Sequence, residues 1–212
     1  MASNDRKPGF FITLEGIEGV CKTTHAEFLS QRLRELGRRV RLTREPGGTV
    51  TGEAIRNLLL QQRTPVADGM AELLLMFAAR AQHLAEVVRP ALAACEIIVC
   101  DRFTDATYAY QGGGRGVPRE QIAWLEDRVQ RGLRPDMTLV FDAPVEVGLK
   151  RARGRGDGNR FEDEDVAFFT RVRETYLAIA RSEPTRVHII NVDRPLAAVQ
   201  DDLRALIRDL RC

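Results

Sequence analysis

The sequence predicts a three-layer α/β fold built on a five-stranded parallel sheet, and three observations predict it. Five short apolar or β-branched runs, at residues 10–14, 39–43, 96–100, 137–142 and 187–191, are spread along a chain of 212 residues. Stretches with helical periodicity separate them, the alternation that yields parallel strands joined by crossover helices. The first run leads directly into a glycine loop, a Lys-Thr pair and a helical pattern. The length suits one domain with a substantial core, and no repeat or linker divides residues 10–212.

Residues 1–9 (MASNDRKPG) are polar and are expected to form a disordered tail. Residues 10–14 are too short for a helix and read as a buried strand. The segment that follows, Gly16-Ile17-Glu18-Gly19-Val20-Cys21-Lys22-Thr23, nearly fits the phosphate-binding pattern G-x-x-x-x-G-K-[ST]. Ala26, Leu29 and Leu33 behind it share one helical face. Unpaired N–H groups at a helix start, with the helix dipole, favour a polyphosphate, and glycines let the backbone close around it. Lys22 is placed to reach the β- and γ-phosphates, and the Thr23 hydroxyl to ligate Mg²⁺. The departure is Cys21 where the pattern has glycine. A left-handed backbone there costs a residue with a Cβ roughly 1–2 kcal/mol. The side chain either crowds a phosphate or is absorbed by a small relaxation of the loop. A thiol beside a lysine at a helix start also has grounds for a lowered pKa.

Residues 39–43 (RVRLT) alternate as a second strand and run into Arg44-Glu45-Pro46-Gly47-Gly48. That composition is a turn signal, and it stands at a strand end, where open parallel sheets bind ligands. By itself it fits a purely structural turn as well. A short amphipathic helix at 52–62 and a loop at 63–69 follow. Residues 71–94 are strongly helical, with Pro90 expected to kink the end. Phe77 and Arg80 are neighbours on that helix. The spacing leaves open a core Phe with a surface Arg, or a pair that holds a nucleobase.

Residues 96–100 (EIIVC) form a third strand ending in Asp101-Arg102. Asp at the end of an apolar strand suits a metal-bound water, and Arg102 suits a bidentate phosphate contact, although a local salt bridge fits equally. The stretch 108–116 (YAYQGGGRG) reads as substrate-facing material or as a flexible glycine loop. A helix at 118–132 with Trp124 packed, a strand at 137–142 and a helix at 145–153 come next. Arg151, Arg153, Arg155 and Arg160 lie within ten residues and are interleaved with glycine. They read as a solvated basic loop or as a lid, residues 151–160, that carries guanidinium charge to a transferring phosphoryl group. A long helix at 162–181, a fifth strand and a closing helix at 196–210 complete the chain.

Composition narrows the function. Charged residues make up 29% with a net charge of only +2, and no basic stripe is interleaved with aromatics, so nucleic acid is not an expected partner. There is no signal peptide or long apolar span, so no membrane partner is expected and the expected compartment is cytoplasmic. Cys21, Cys95, Cys100 and Cys212 show no metal-ligand spacing, and Cys100 reads as a small core residue.

Taken together, FITLEGIEG…KTT, TREPGGT, LLLMFAARAQH, CDRFTDATYAYQGGGRG, RPDMTLVFD and the arginine stretch ending NRFE resemble the bacterial thymidylate kinase family nearly end to end. The resemblance implies a P-loop NTPase fold and transfer of the γ-phosphoryl group of MgATP to dTMP, giving dTDP and ADP. It implies that Gly16, Ile17, Glu18, Gly19, Val20, Cys21, Lys22, Thr23 and Thr24 cradle ATP, with Thr23 and Asp101 at the metal. Lys22, Arg102, Glu18 and the lid residue Arg155 would be catalytic, supported by Arg151 and Arg160 on ATP. Arg44, Glu45, Pro46 and Arg102 would serve the acceptor phosphate side. Phe77 would stack on thymine, Arg80, Thr107 and Gln111 would read its edge, and Tyr110 would sit by the sugar. A homodimer is also implied, to which the helix at 71–94 offers a face. The competing readings are a kinase for another nucleoside monophosphate and a nucleotide-binding protein impaired at Cys21. A GTPase is disfavoured because no N-K-x-D motif is present.

Overall fold

The structure, a computed structural model, describes residues 9–61, 68–154, 161, 164–208 and 210. Five parallel strands form one sheet in the order β2-β3-β1-β4-β5. They are β1 (Phe10–Glu15), β2 (Val40–Arg44), β3 (Ile97–Asp101), β4 (Met137–Asp142) and β5 (Val187–Asn191). The central strand β1 pairs Leu14 with Asp101 of β3 and with Leu139 of β4. In β2, Arg44 pairs with Asp101. The carboxyl ends of β2, β3 and β1 therefore lie side by side, where an open parallel sheet presents its ligand crevice.

Strand periodicity sorts the core onto the two faces of the sheet. Ile12, Leu14, Ile97 and Val99 are buried with Ala26, Leu29 and Leu33 of α1 (Lys22–Glu35) and with Phe169, Val172 and Tyr176 of α8 (Val166–Ser182). Phe11, Ile98 and Cys100 point the other way, against Leu84, Val88 and Ala91. Cys100 is fully buried, as a small core residue should be, and burial pushes its thiol up. The remaining helices are α2 (Val50–Leu60), α3 (Gly69–His83), α4 (Arg89–Ala93), α5 (Thr104–Thr107), α6 (Arg119–Gln130), α7 (Val145–Arg153) and α9 (Leu196–Arg208).

Three expectations are corrected by packing. The helix read as one run from 71 to 94 is α3, a π-helical segment Leu84–Val88, and then α4. Pro90 stands in the first turn of α4, and having no N–H it forces the hydrogen-bond ladder to re-register before it. The glycine run at 112–114 is no loop: Tyr108–Gly114 is a second π-helical segment, continuous with α5 and packed on α8. A Cβ on Gly114 would overlap the Phe168 ring, so the absence of a side chain permits the close approach. Trp124 is not packed but 60% exposed, because Ile122 of α6 turns inward to Leu73 and Phe77 instead. Gly9, the first described residue, donates its N–H to the Leu92 carbonyl at the end of α4, and residues 1–8 of the expected tail lie outside the described residues.

Candidate active site

A cleft of about 590 Å³ opens at the carboxyl ends of β1, β2 and β3. Its floor is the loop between β1 and α1. Gly19 has φ +74°, and a Cβ there would run into the Gly148 carbonyl of α7, so glycine is required by both torsion and contact. Cys21 is the residue before α1 and is held left-handed at φ 58°, ψ 33°. No side chain caps α1, whereas Thr49, Asp68 and Asp165 cap α2, α3 and α8. The first-turn N–H groups of α1 are thus left for a ligand, the arrangement that binds anions. Lys22 folds back, donating to the Gly16 and Ile17 carbonyls at 3.1 and 2.8 Å. Burial, and then the nearby Arg102, push its ammonium down to about 8. Thr23 and Thr24 stay exposed and line the cleft.

Arg102 closes the end of β3 with φ +71°, a conformation that costs energy and recurs at functional sites. Its guanidinium donates to Glu18 at 2.9 Å and to the Tyr110 hydroxyl at 2.9 Å, and it lies over the Tyr110 ring. Tyr110 in turn donates to the other Glu18 oxygen at 2.6 Å. Burial opposes the charge on Arg102, but Tyr110, Glu18, Tyr176 and Asp101 outweigh it and hold its pKa well above the ordinary value. Asp101 Oδ1 is buried without a hydrogen-bond partner among the described residues. A hard cation with phosphate oxygens, met by this carboxylate and the Thr23 hydroxyl, suits that donor set.

The opposite wall is built on α3. Arg80 is 2% exposed and donates Nε to Glu45 at 2.7 Å and Nη2 to Thr107 at 2.9 Å. Its Nη1 is buried with no partner among the described residues. Gln111 donates to Glu72 at 2.7 Å and lines the same wall. Phe77 does not. It packs with Leu73 and Ile122 behind the wall, with the Arg80 guanidinium 4.8 Å from its ring centre, and Met76 takes the cleft-facing position. The turn of α3 decides this: Met76 lies one full turn before Arg80, while Phe77 is rotated toward α6.

Arg44, Glu45 and Pro46 all border the cleft, with Arg44 paired to Glu53 at 2.9 Å. Gly16, Ile17 and Val20 stay behind the loop and shape it from beneath, so they contribute backbone rather than lining. Arg151 turns away from the cleft, donating to the Val192 carbonyl at 3.2 Å. Arg155 and Arg160, with most of the expected lid, lie outside the described residues.

Arg56 at the cleft and three buried residues behind it, Glu15, Glu72 and His83, carry no obvious mark in the sequence. Arg56 of α2 reaches the cleft and donates to the Pro46 carbonyl at 2.9 Å. Glu15 is fully buried, accepting from the Phe103 N–H at 2.7 Å and the Tyr176 hydroxyl at 2.8 Å. Burial, then the Asp105 charge, push its carboxyl up to about 8. Glu72, Arg80 and His83 are polar residues buried along one helix with Met76 beside them, and that polar stripe was the readable signal.

Comparison with known proteins agrees with this geometry. The family model described as thymidylate kinase matches residues 14–203. A thymidylate kinase of Pseudomonas savastanoi pv. phaseolicola is 57% identical over 95% of this chain and 96% of its own length. One from Methylococcus capsulatus is 56% identical over 96% of this chain and 97% of its own. The crystal structure of thymidylate kinase from Ehrlichia chaffeensis superposes with a TM-score of 0.78 at 32% identity, covering 95% of this chain and all of that one.

Proposed function

The chain belongs to the thymidylate kinase family, and from that premise we infer how its cleft divides the reaction. The protein is an ATP-using kinase that phosphorylates dTMP in nucleotide biosynthesis. The observation that carries this reading is a single cleft with two differently built ends. One is the uncapped start of α1 with Lys22 and Thr23, and the other is the buried, half-satisfied Arg80 guanidinium.

In this reading the loop 16–24 takes the ATP phosphates through backbone N–H groups and Lys22. Lys22 leaves the Gly16 and Ile17 carbonyls to meet them. Thr23 and Asp101 would hold Mg²⁺, which would supply charge neutralisation at the transferring group. Arg102, with Arg44 and Arg56 on the neighbouring elements, receives the acceptor phosphate. Glu18 and Tyr110 fix the Arg102 guanidinium in line. Arg80 presents Nη1 to a carbonyl of the base, beside Thr107 and Gln111, and Met76 lies against the ring. Two phosphate groups repel each other, so neutralising and aligning them is most of the catalysis. The arginines at 155 and 160 add charge from the lid, and Arg151 supports its base.

No helix among the described residues is long and apolar enough to cross a membrane, and a cytoplasmic enzyme fits the reading. We infer a homodimer as well, using α3 and the α6 beside it, where Leu74 is 51% exposed and Trp124 60%. Sedimentation at micromolar concentration checks it.

ADP release from MgATP, with and without dTMP and across a panel of nucleoside monophosphates, tests the function. Turnover that depends on dTMP in both the parent and Cys21→Gly supports the reading. Activity in Cys21→Gly alone assigns the cleft correctly but shows that Cys21 disables the loop. Preference for another monophosphate overturns the substrate.

A further inference from the structure

The turn 43–48 is organised around one buried side chain that touches no ligand-facing surface. His83, the last residue of α3, is 0% exposed. Its Nδ1 lies 2.8 Å from Glu45 Oε1, and its Nε2 lies 2.7 Å from Thr43 Oγ1. Gly48 covers the ring: a Cβ there would stand 2.9 Å from His83 Nε2 and 2.7 Å from Thr43 Oγ1, at φ +76°. Thr43, Glu45 and Gly48 therefore all close on the same imidazole.

The second Glu45 oxygen, Oε2, is the one that takes Arg80 Nε at 2.7 Å. A carboxylate accepts only, so the Nδ1 facing it carries the proton, and Nε2 is left to the Thr43 hydroxyl. The chain of contacts is then Thr43, His83, Glu45, Arg80, Thr107, with every member screened from solvent except part of Thr43. A guanidinium has five donors in a rigid fork, so fixing Nε and Nη2 fixes the direction of the remaining Nη1. That atom is the buried, unpartnered one.

We propose that His83 is a specificity-positioning residue. Through Glu45 it holds the Arg80 fork so that Nη1 selects a base with a carbonyl at position 4, thymine or uracil, over cytosine, which offers an amino group there. This rests on the reading that dTMP lies against Arg80. His83 itself touches neither substrate. With the histidine removed, Glu45 loses one of two anchors, and the fork loses its fixed direction toward the position-4 carbonyl. A site that depends on an aligned hydrogen bond loses discrimination when alignment is lost.

The test is steady-state kinetics with dTMP, dUMP and dCMP, plus the KM for ATP, in His83→Leu, His83→Asn, His83→Gln and Arg80→Met, each checked by thermal melting. Asn places its amide near Nδ1 and keeps the Glu45 contact, while Gln reaches only toward Thr43. His83→Leu is expected to raise the KM for dTMP about tenfold and to cut the dTMP-to-dCMP preference in kcat/KM by a similar factor. The KM for ATP should stay within about twofold, and His83→Asn should restore most of the loss while His83→Gln does not. If His83→Leu does not fold, the Asn and Gln pair decides, and equal behaviour of the two overturns the proposal. So does a melting-temperature loss with unchanged preference, or a parallel loss for both substrates. If Arg80→Met leaves the KM for dTMP unchanged, it is the underlying placement of dTMP that fails, and the two failures are thereby distinguished.

Discussion

Cys21 holds φ 58° and ψ 33° at the mouth of α1, a torsion that glycine adopts freely and a residue with a Cβ does not. The penalty is about 1–2 kcal/mol, offset by about 0.4–1 kcal/mol because glycine adds freedom to the unfolded chain. Cys21→Gly is therefore expected to stabilise the protein by roughly 0.5–1 kcal/mol, raising Tm by a few degrees at most. Calorimetry checks this, and a lower Tm would mean that the torsion carries no strain. Glu15 sets a second residue-scale expectation. Its carboxyl is raised from 4.5 to about 8, so between those values the folded protein holds a proton that the unfolded chain has released. The stability it contributes is complete below pH 4.5 and is lost as pH rises toward 8, at up to about 1.4 kcal/mol per pH unit. Glu15→Gln removes the titration, so its urea-unfolding stability should change less over that range than the parent's. Parallel pH profiles for the two proteins would exclude it.

At the scale of elements, the segment Tyr108–Gly114 shows how a glycine run serves a purpose other than flexibility. It packs on α8, carrying Tyr110 and Gln111 into the cleft, and Gly113 and Gly114 lie against Thr175 and Phe168. Gly114→Ala should destabilise by about 1–3 kcal/mol through overpacking, read as a lower urea midpoint at unchanged m. An unchanged midpoint would mean that α8 yields without cost. The same element marks a limit of reading by composition. Three glycines in a row are compatible with a loop and with close helix packing, and only the position of Phe168 separates the two. The helix α3 behaves similarly. Its apolar periodicity was plain, and so was the Phe77–Arg80 neighbourhood, but rotating the helix by one residue exchanges Met76 for Phe77 at the cleft. That rotation is fixed by Leu73 and Ile122, a contact made across the fold.

Across the whole molecule, α7 ends at Arg153 and α8 begins at Val166, and between them Phe161 lines the cleft beside Tyr110. The proposed lid stretch joins α7 to Phe161, and its residues 155–160 lie outside the described residues. On the proposed role of Arg155 in neutralising transition-state charge, Arg155→Ala is expected to lower kcat by about 10²-fold or more, with the KM for dTMP within about twofold. Steady-state rates with both substrates varied provide the check, and an unchanged kcat removes Arg155 from catalysis.

The strand–loop–helix order, the near boundaries of all five strands, the phosphate loop with its odd cysteine, and the Asp101-Arg102 pair at a strand end were all legible in the residues alone. These depend on local periodicity and on residue types adjacent in the chain, and such interactions are written where they act. Tertiary packing fixes which face of α3 meets the cleft, that the glycine run is helical, that Trp124 is exposed, that Arg56 lines the cleft, and that Glu15, Glu72 and His83 stand buried behind it. The buried polar ones rest on partners far away in sequence, Glu15 on Tyr176, Glu72 on Gln111 and His83 on Glu45 and Thr43. Burial turns an isolated polar residue into either a cost or a well-placed anchor, and only the folded chain says which.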